Sequence, residues 1–176
     1  MNNRKIEVID YQSAWPDKFR DEQRLLEGIL DRSNLISIHH IGSTAVPELC
    51  AKPIIDILIQ VRCHSLLDGQ SKAFESIGYA VLGECGLPGR RHFQKGGDQR
   101  SHHIHVYEQG HQDITRHIAF RDYLHQFISV RDSYGLIKME GARKYHNDIK
   151  GYMAHKNAFI KTHELLALEW YLNSSE

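Results

Sequence analysis

The chain has 176 residues, enough to bury roughly 70% of the surface its unfolded form exposes without a disulfide or a structural metal. Its 22 Lys+Arg cancel its 22 Asp+Glu, which argues against a binder of long nucleic acid and against an acidic solvating tail. With 41% hydrophobic and 25% charged residues, the composition is that of a folded chain and not a disordered one.

In chain order, Ile6, Val8 and Ile9 read as a short first strand or extended arm. Residues 17–30 predict a helix, with Pro16 near the first turn and Phe19, Leu25, Leu26, Ile29 and Leu30 at helical spacing. Trp15-Pro16 reads as a packing staple at its start. Leu35–Ile41 predicts a strand of mixed character that ends at Gly42-Ser43. Residues 53–61 are almost continuously apolar, the pattern of a strand covered on both faces. A helix over 65–77 follows, closed by Gly78. Three short strands come next, at 79–85, 91–95 and 102–108, joined by the hairpin-like segments CGLPGR and KGGDQR.

From residue 111 the pattern is helical, over 111–127, 130–150 and 151–172. Aromatic residues there, from Phe120 to Tyr171, fall at helical spacing and read as packing between these helices. The fold class is α+β: a small mixed β-sheet flanked by helices, with a helical C-terminal part. A single domain over 1–176 is expected, with an α/β core over about 5–108 and helices over about 111–173. The opening MNNRKIEVIDYQ lacks the apolar run of a secretory leader, and residues 53–61 are too short to span a bilayer. Cys50, Cys63 and Cys85 form neither a CxxC pair nor a zinc-finger spacing, so reduced thiols in a cytoplasmic protein without a membrane partner are expected. The sequence does not fix an oligomeric state.

The chemistry concentrates in HIGSTAVPELCAKPIIDILIQV, residues 40–61. A glycine at 42 lets the backbone approach a ligand closely, and the hydroxyls of Ser43 and Thr44 suit phosphate oxygens. Asp56 lies in the middle of the apolar run, where a carboxylate is costly unless it is paired or bound. It either serves a site, or is a strand-end acid that caps a neighbouring loop or pairs with an arginine. The chain also holds thirteen histidines, clustered at His39-His40 and at His102, His103 and His105.

A strand, Gly-Ser, a short segment and a strand with an embedded Asp resemble nucleotidyltransferases of the DNA polymerase beta type. More closely, the chain is similar to the GrpB family of predicted nucleotidyltransferases. The residues that carry this are 40–47 (HIGSTAVP), 51–57 (AKPIIDI), 86–90 (GLPGR), Arg100 and 102–106 (HHIHV). Further matches are 120–124 (FRDYL), Lys138, Tyr152, Lys156 and Phe159-Ile160. The resemblance implies a nucleotidyltransferase-like fold. It also implies a second acidic residue two positions after Asp56, roughly 7 Å away on the same strand face, to share a divalent metal. Leu58 stands there instead.

His103 and His105 share a strand face and are the expected replacements, giving a metal set of Asp56, His103 and His105 with Glu84 adding an oxygen. Mg²⁺ or Mn²⁺ follows from the resemblance, and Zn²⁺ from the imidazoles. Alternatively these rings hydrogen-bond carbonyls or phosphates on a solvated face. Lys52, Arg90, Arg91, Lys95 and Arg100 flank the expected cleft, and Arg121, Lys138 and Lys156 stand on the later helices. Singly each suits an ion pair, whereas together with Gly42-Ser43 they predict a phosphate pocket for a nucleotide or other phosphorylated small molecule. His117 and Asp122, five residues apart, do not share a helix face.

The leading expectation is metal-assisted transfer of a nucleotidyl group from a nucleoside triphosphate to a small acceptor, with Asp56 on the metal and His103 or His105 as general base. A second is a nucleotide-binding or accessory module that has lost transfer; related domains occur fused to dephospho-CoA kinase, where an accessory folding role is suggested. A third is a phosphohydrolase built on a metal held by the histidine pair.

Overall fold

The computed structural model describes residues 5–174. Helix α1 (Trp15–Ile29) leads into strand β1 (Leu35–Ile41), and a short 3-10 turn (Ser43–Ala45) follows. Strand β2 (Ile55–Val61) precedes two short helices, α2 (His64–Asp68) and α3 (Ser71–Ser76). Strands β3 (Tyr79–Val81), β4 (Arg90–Lys95) and β5 (His102–Glu108) complete the sheet. Helices α4 (Gln112–Gln126), α5 (Ile128–Lys144) and α6 (Ile149–Asn173) close the chain.

The sheet runs in the order β1-β2-β5-β4-β3 and is mixed. Strands β2 and β5 are parallel and every other pairing is antiparallel. A parallel pair needs a long crossover, and α2, α3, β3 and β4 supply it. Strand β2 lies between β1 and β5 and is covered on both faces, as its apolar run predicts. Ile55, Ile57, Ile59 and Val61 join Ile104, Val106 and Phe93 on one face, against Trp15, Leu26 and Leu30 from the α1 segment and Phe74 of α3. Each such side chain, fully buried, contributes roughly 1.5–3 kcal/mol. On the other face Leu58 packs with Ile41, Tyr107 and Ile114 of α4.

Differences from the expected elements have local causes. The helix expected over 65–77 is two helices, because the Gln70 amide is tied to the end of α1, donating to Ile29 O at 2.8 Å. The third strand ends at Val81 and not at 85, because Gly83, Cys85 and Gly86 all adopt positive φ. Helix α5 stops at Lys144, and Asp148 then caps α6 by accepting the Gly151 N–H at 3.0 Å. The N-terminal arm makes one bridge, Ile9 to Ala51, and Ile6 N–H donates to His146 O. Trp15 is the first residue of α1 and is buried in the main core, edge-on to Tyr11. Among the described residues no helix is long and apolar enough to cross a membrane.

Candidate functional site

Pairing between β1 and β2 sets Ile41 opposite Asp56, so the strand carrying the aspartate begins where the Gly42-Ser43 turn leaves its neighbour. Asp56 is thus the second residue of β2, at one end of the sheet and not in mid-strand. Gly42 has φ 71° and ψ −173°, a conformation essentially reserved for glycine. A Cβ on Gly42 would meet Asp56 Oδ2 at 2.7 Å, so the carboxylate lies directly against the glycine backbone. The Asp56 side chain keeps 30% of its surface exposed.

The parallel register places His103 beside Asp56 and His105 beside Leu58. Both imidazoles face the aspartate, while Ile104 and Val106 point into the core, as the alternation predicts. His103 Nδ1 stands 3.5 Å and His105 Nε2 3.6 Å from the same oxygen, Asp56 Oδ1. Burial works to raise the Asp56 carboxyl, but the two imidazoles outweigh it and hold the group well below the usual carboxylate range. His105 lies between two further rings, His92 at 5.0 Å and His117 at 5.4 Å. Burial, with His105 and Arg90 beside it, pushes His92 down to about 4. Burial and Arg116 push His117 down to about 3. The cluster around the carboxylate therefore contains neutral rings at physiological pH.

The donor set of one carboxylate and two imidazoles suits a borderline transition ion more than Mg²⁺. Its geometry does not fit an ion held by the protein alone. Both nitrogens approach the same carboxylate oxygen, Asp56 Oδ1, and are paired with it. Arg90 Nη1 stands 3.4 Å from His105 Nδ1, where a metal-bound ring would carry its own N–H. The Glu84 carboxylate is engaged elsewhere, accepting the Gly89 N–H at 2.9 Å. Among the described residues no group of three or more His, Cys, Asp or Glu side chains is placed to hold a metal. Leu58, where a second acid would stand, is fully buried in an apolar cluster.

The cationic candidates divide sharply. Lys52 Nζ lies 5.5 Å and Lys156 Nζ 5.0 Å from the centroid of the Tyr152 ring. Lys138 lies 4.6 Å from the Tyr134 ring centroid and donates to Cys50 O. Lys138 is 2% exposed. Burial pushes it down to about 7; Lys156 and Lys52 act the same way and Cys50 the other. Burial and Lys52 push Lys156 down to about 8, with Asp56 opposing. Burial pushes the Tyr134 phenol up; Tyr152 acts the same way and Ser43 the other. Arg100, Ser101, Lys52 and His103 line a neighbouring cleft of about 730 Å³.

Other expected phosphate ligands are committed elsewhere. The Thr44 hydroxyl is buried, donating to Ile54 O at 3.3 Å and paired with His40 Nε2 at 2.9 Å. Lys95 is ion-paired with Glu22 at 2.9 Å, in a network with Tyr79 that joins α1 to the sheet. Arg90 holds its loop by donating to Glu84 O and Cys85 O. Arg91 forms a bidentate pair with Asp68 of α2. Arg121 donates to His40 O and Asp122, beside a second hollow of about 500 Å³ that Trp170 also lines.

Sequence reasoning missed His92 and Tyr134 as parts of this site, and took Tyr152, one of the matches to the family, for helix packing. For His92 a signal existed, since it alternates with Arg90 and Gln94 and its antiparallel partner is His105. Tyr134 gave none, because core and site tyrosines share the same helical spacing.

Sheet and site together define an α+β protein in which an ionised aspartate meets a Gly-Ser turn and a cluster of lysines. The chain belongs to the GrpB family: residues 5–165 match the family model described as GrpB protein. It is 41% identical over 167 residues to UPF0157 protein YqkA of Bacillus subtilis, a match that covers 95% of this chain and 48% of YqkA. The chain therefore spans about half the length of that relative. Glutamate-rich protein GrpB of Alkalihalophilus pseudofirmus is 32% identical, over 91% of this chain and 94% of its own. The crystal structure of conserved protein GrpB from Enterococcus faecalis superposes with a TM-score of 0.91 at 43% identity, covering 94% of this chain and 99% of that one.

Proposed function

We propose that the protein binds the phosphates of a nucleoside triphosphate between the Gly42-Ser43 turn and the lysines, and transfers a nucleotidyl group to a small acceptor. The observation that carries this is the contact of Asp56 with Gly42, which sets an ionised carboxylate at a turn able to receive phosphate. In this reading the turn's backbone and Ser43 orient the phosphates, and Lys52 and Lys156 neutralise charge on the departing pyrophosphate. Asp56 accepts a hydrogen bond from the attacking hydroxyl. As the bond to the α-phosphorus forms and the bond to the departing pyrophosphate breaks, the hydroxyl proton passes to His103 or His105 in its neutral form beside that carboxylate. No step is routed through a metal, since the arrangement of Asp56, His103 and His105 does not fit an ion held by the protein alone.

A second reading is favoured by Leu58, whose burial removes the second acid as a matter of core packing. It is a nucleotide-binding module without transfer. A thermal-shift screen of nucleoside triphosphates, followed by assay of pyrophosphate release, separates the two. A nucleotide at 100-fold its dissociation constant stabilises by roughly 2.7 kcal/mol. Transfer predicts pyrophosphate release by the wild type and its loss in Asp56→Asn, with the melting temperature of the free protein retained. Stabilisation without release, across a panel of divalent metals, selects the binding module. Absence of stabilisation by any nucleotide overturns both.

A further inference from the structure

We infer that the cleft of about 730 Å³ beside His103 binds a small organic acid, with a single carboxylate held by Arg100 and an apolar body resting on Ile6, Ile54 and Ile149. Naming this acid as the acceptor rests on the proposed nucleotidyl transfer; the carboxylate site itself does not.

The segment that carries Arg100 is fixed by its backbone. Gln99 N–H donates to Gly96 O at 3.0 Å, Ser101 N–H to Lys95 O at 2.9 Å, and Ile55 N–H to Ser101 O at 2.9 Å. Gly96 adopts φ 97°, and the turn closes so tightly that a Cβ there would collide with Gln99 O. The N-terminal arm forms another wall, fixed where Ile6 N–H donates to His146 O at 2.6 Å and where Ile9 bridges Ala51. Within this frame Arg100 is half-buried, and its guanidinium has no hydrogen-bond or ion-pair partner among the described residues, Asp98 included. A part-buried cation without a partner has given up water for nothing in exchange, so an anion entering the cleft offsets that loss.

The lining sets the class of ligand. A guanidinium only donates, and its planar fork matches a carboxylate. Glu7 and Asp98 line the same cleft and oppose each further negative charge on the ligand, so one carboxylate fits better than a phosphate dianion. Ile6 and Ile54 are buried and Ile149 is 48% exposed, and together they offer the ligand's body an apolar wall. Among the described lining residues His103 is the one aromatic ring, which leaves a nucleobase no stacking platform there. His103 joins the cleft to Asp56, its Nδ1 standing 3.5 Å from Asp56 Oδ1, so a hydroxyl on the seated acid can turn towards that carboxylate.

The test is a titration of the full chain, followed by nuclear magnetic resonance, with probes that share one skeleton: hexanoate, hexylamine, hexan-1-ol and hexyl phosphate. Hexanoate is expected to bind about tenfold more tightly than each of the others, the worth of one charge-assisted pair. Arg100→Gln and Ile149→Asp are each expected to weaken hexanoate binding about tenfold, while Arg24→Gln on the exposed face of α1 leaves it unchanged. Arg100 is part-buried and Ile149 exposed, so these variants keep the fold, which a melting curve checks. No binding of hexanoate, equal or tighter binding of any other probe, indifference to Arg100→Gln, or displacement of hexanoate by adenosine overturns the inference. Hexanoate binding that depends on Arg100, in a protein that no nucleoside triphosphate stabilises, leaves the acid site standing and rejects the nucleotidyl-transfer reading. Nucleotide binding with pyrophosphate release but no hexanoate binding does the reverse.

Discussion

The Asp56 carboxylate lies directly against Gly42, and the glycine is required twice over. Its φ of 71° strains any residue with a Cβ, and the added carbon would stand 2.7 Å from Asp56 Oδ2. Gly42→Ala is therefore expected to destabilise by roughly 2–4 kcal/mol in urea unfolding. Adding Asp56→Ala should recover part of that, since the clash goes and only the backbone strain stays. A Gly42→Ala protein as stable as the wild type would show that the carboxylate does not lie against the turn. At this scale the sequence was informative: a glycine followed by Ser43, and an acid within an apolar run, are visible without coordinates. That the two touch is not visible, because the contact depends on pairing between strands.

The elements show how a site residue can be lost to packing. Strand β2 presents Asp56 and Leu58 on one face; the first meets the turn, while the second meets Ile41, Tyr107 and Ile114. A metal pair needs acids at both positions, but α4 seals the second from water. Leu58→Asp is thus expected to destabilise the fold by roughly 3–5 kcal/mol, the cost of a buried charge without a partner, and not to create a Mg²⁺ site. Stoichiometric Mg²⁺ binding by a folded Leu58→Asp protein, measured by calorimetry, would overturn that account. The strand alternation of 102–108 was legible, and so was the apolar filling of 53–61. The break at Gln70 and the Lys95–Glu22 pair were not, because each depends on a side chain reaching α1 from a distant part of the chain.

On the scale of the whole molecule, the buried lysines tie stability to pH. Lys138 is pushed down to about 7 from an ordinary 10.5. Between those values the unfolded chain holds more protons than the folded one, so stability rises with pH across that window. The burial penalty is complete below the folded value and disappears towards the unfolded one. From pH 7 to 9.5 the wild type should gain roughly 1–3 kcal/mol relative to Lys138→Met, which has no such titration. Parallel pH dependence of the two proteins in denaturant unfolding would show that Lys138 is not buried as a cation.

The sequence by itself determined the classes of element, their order, and which residue types were chemically unusual enough to form a site. It did so because periodicity and turn chemistry are local properties of the chain. Only the tertiary structure decided which of the many lysines, arginines and histidines meet. Lys138 reaches the Cys50 carbonyl across 88 residues, while Lys95 and Arg91 are drawn into ion pairs with Glu22 and Asp68. A charged side chain carries no mark of its eventual partner, since that is set by strand register and helix packing, and these are fixed only when the whole core forms.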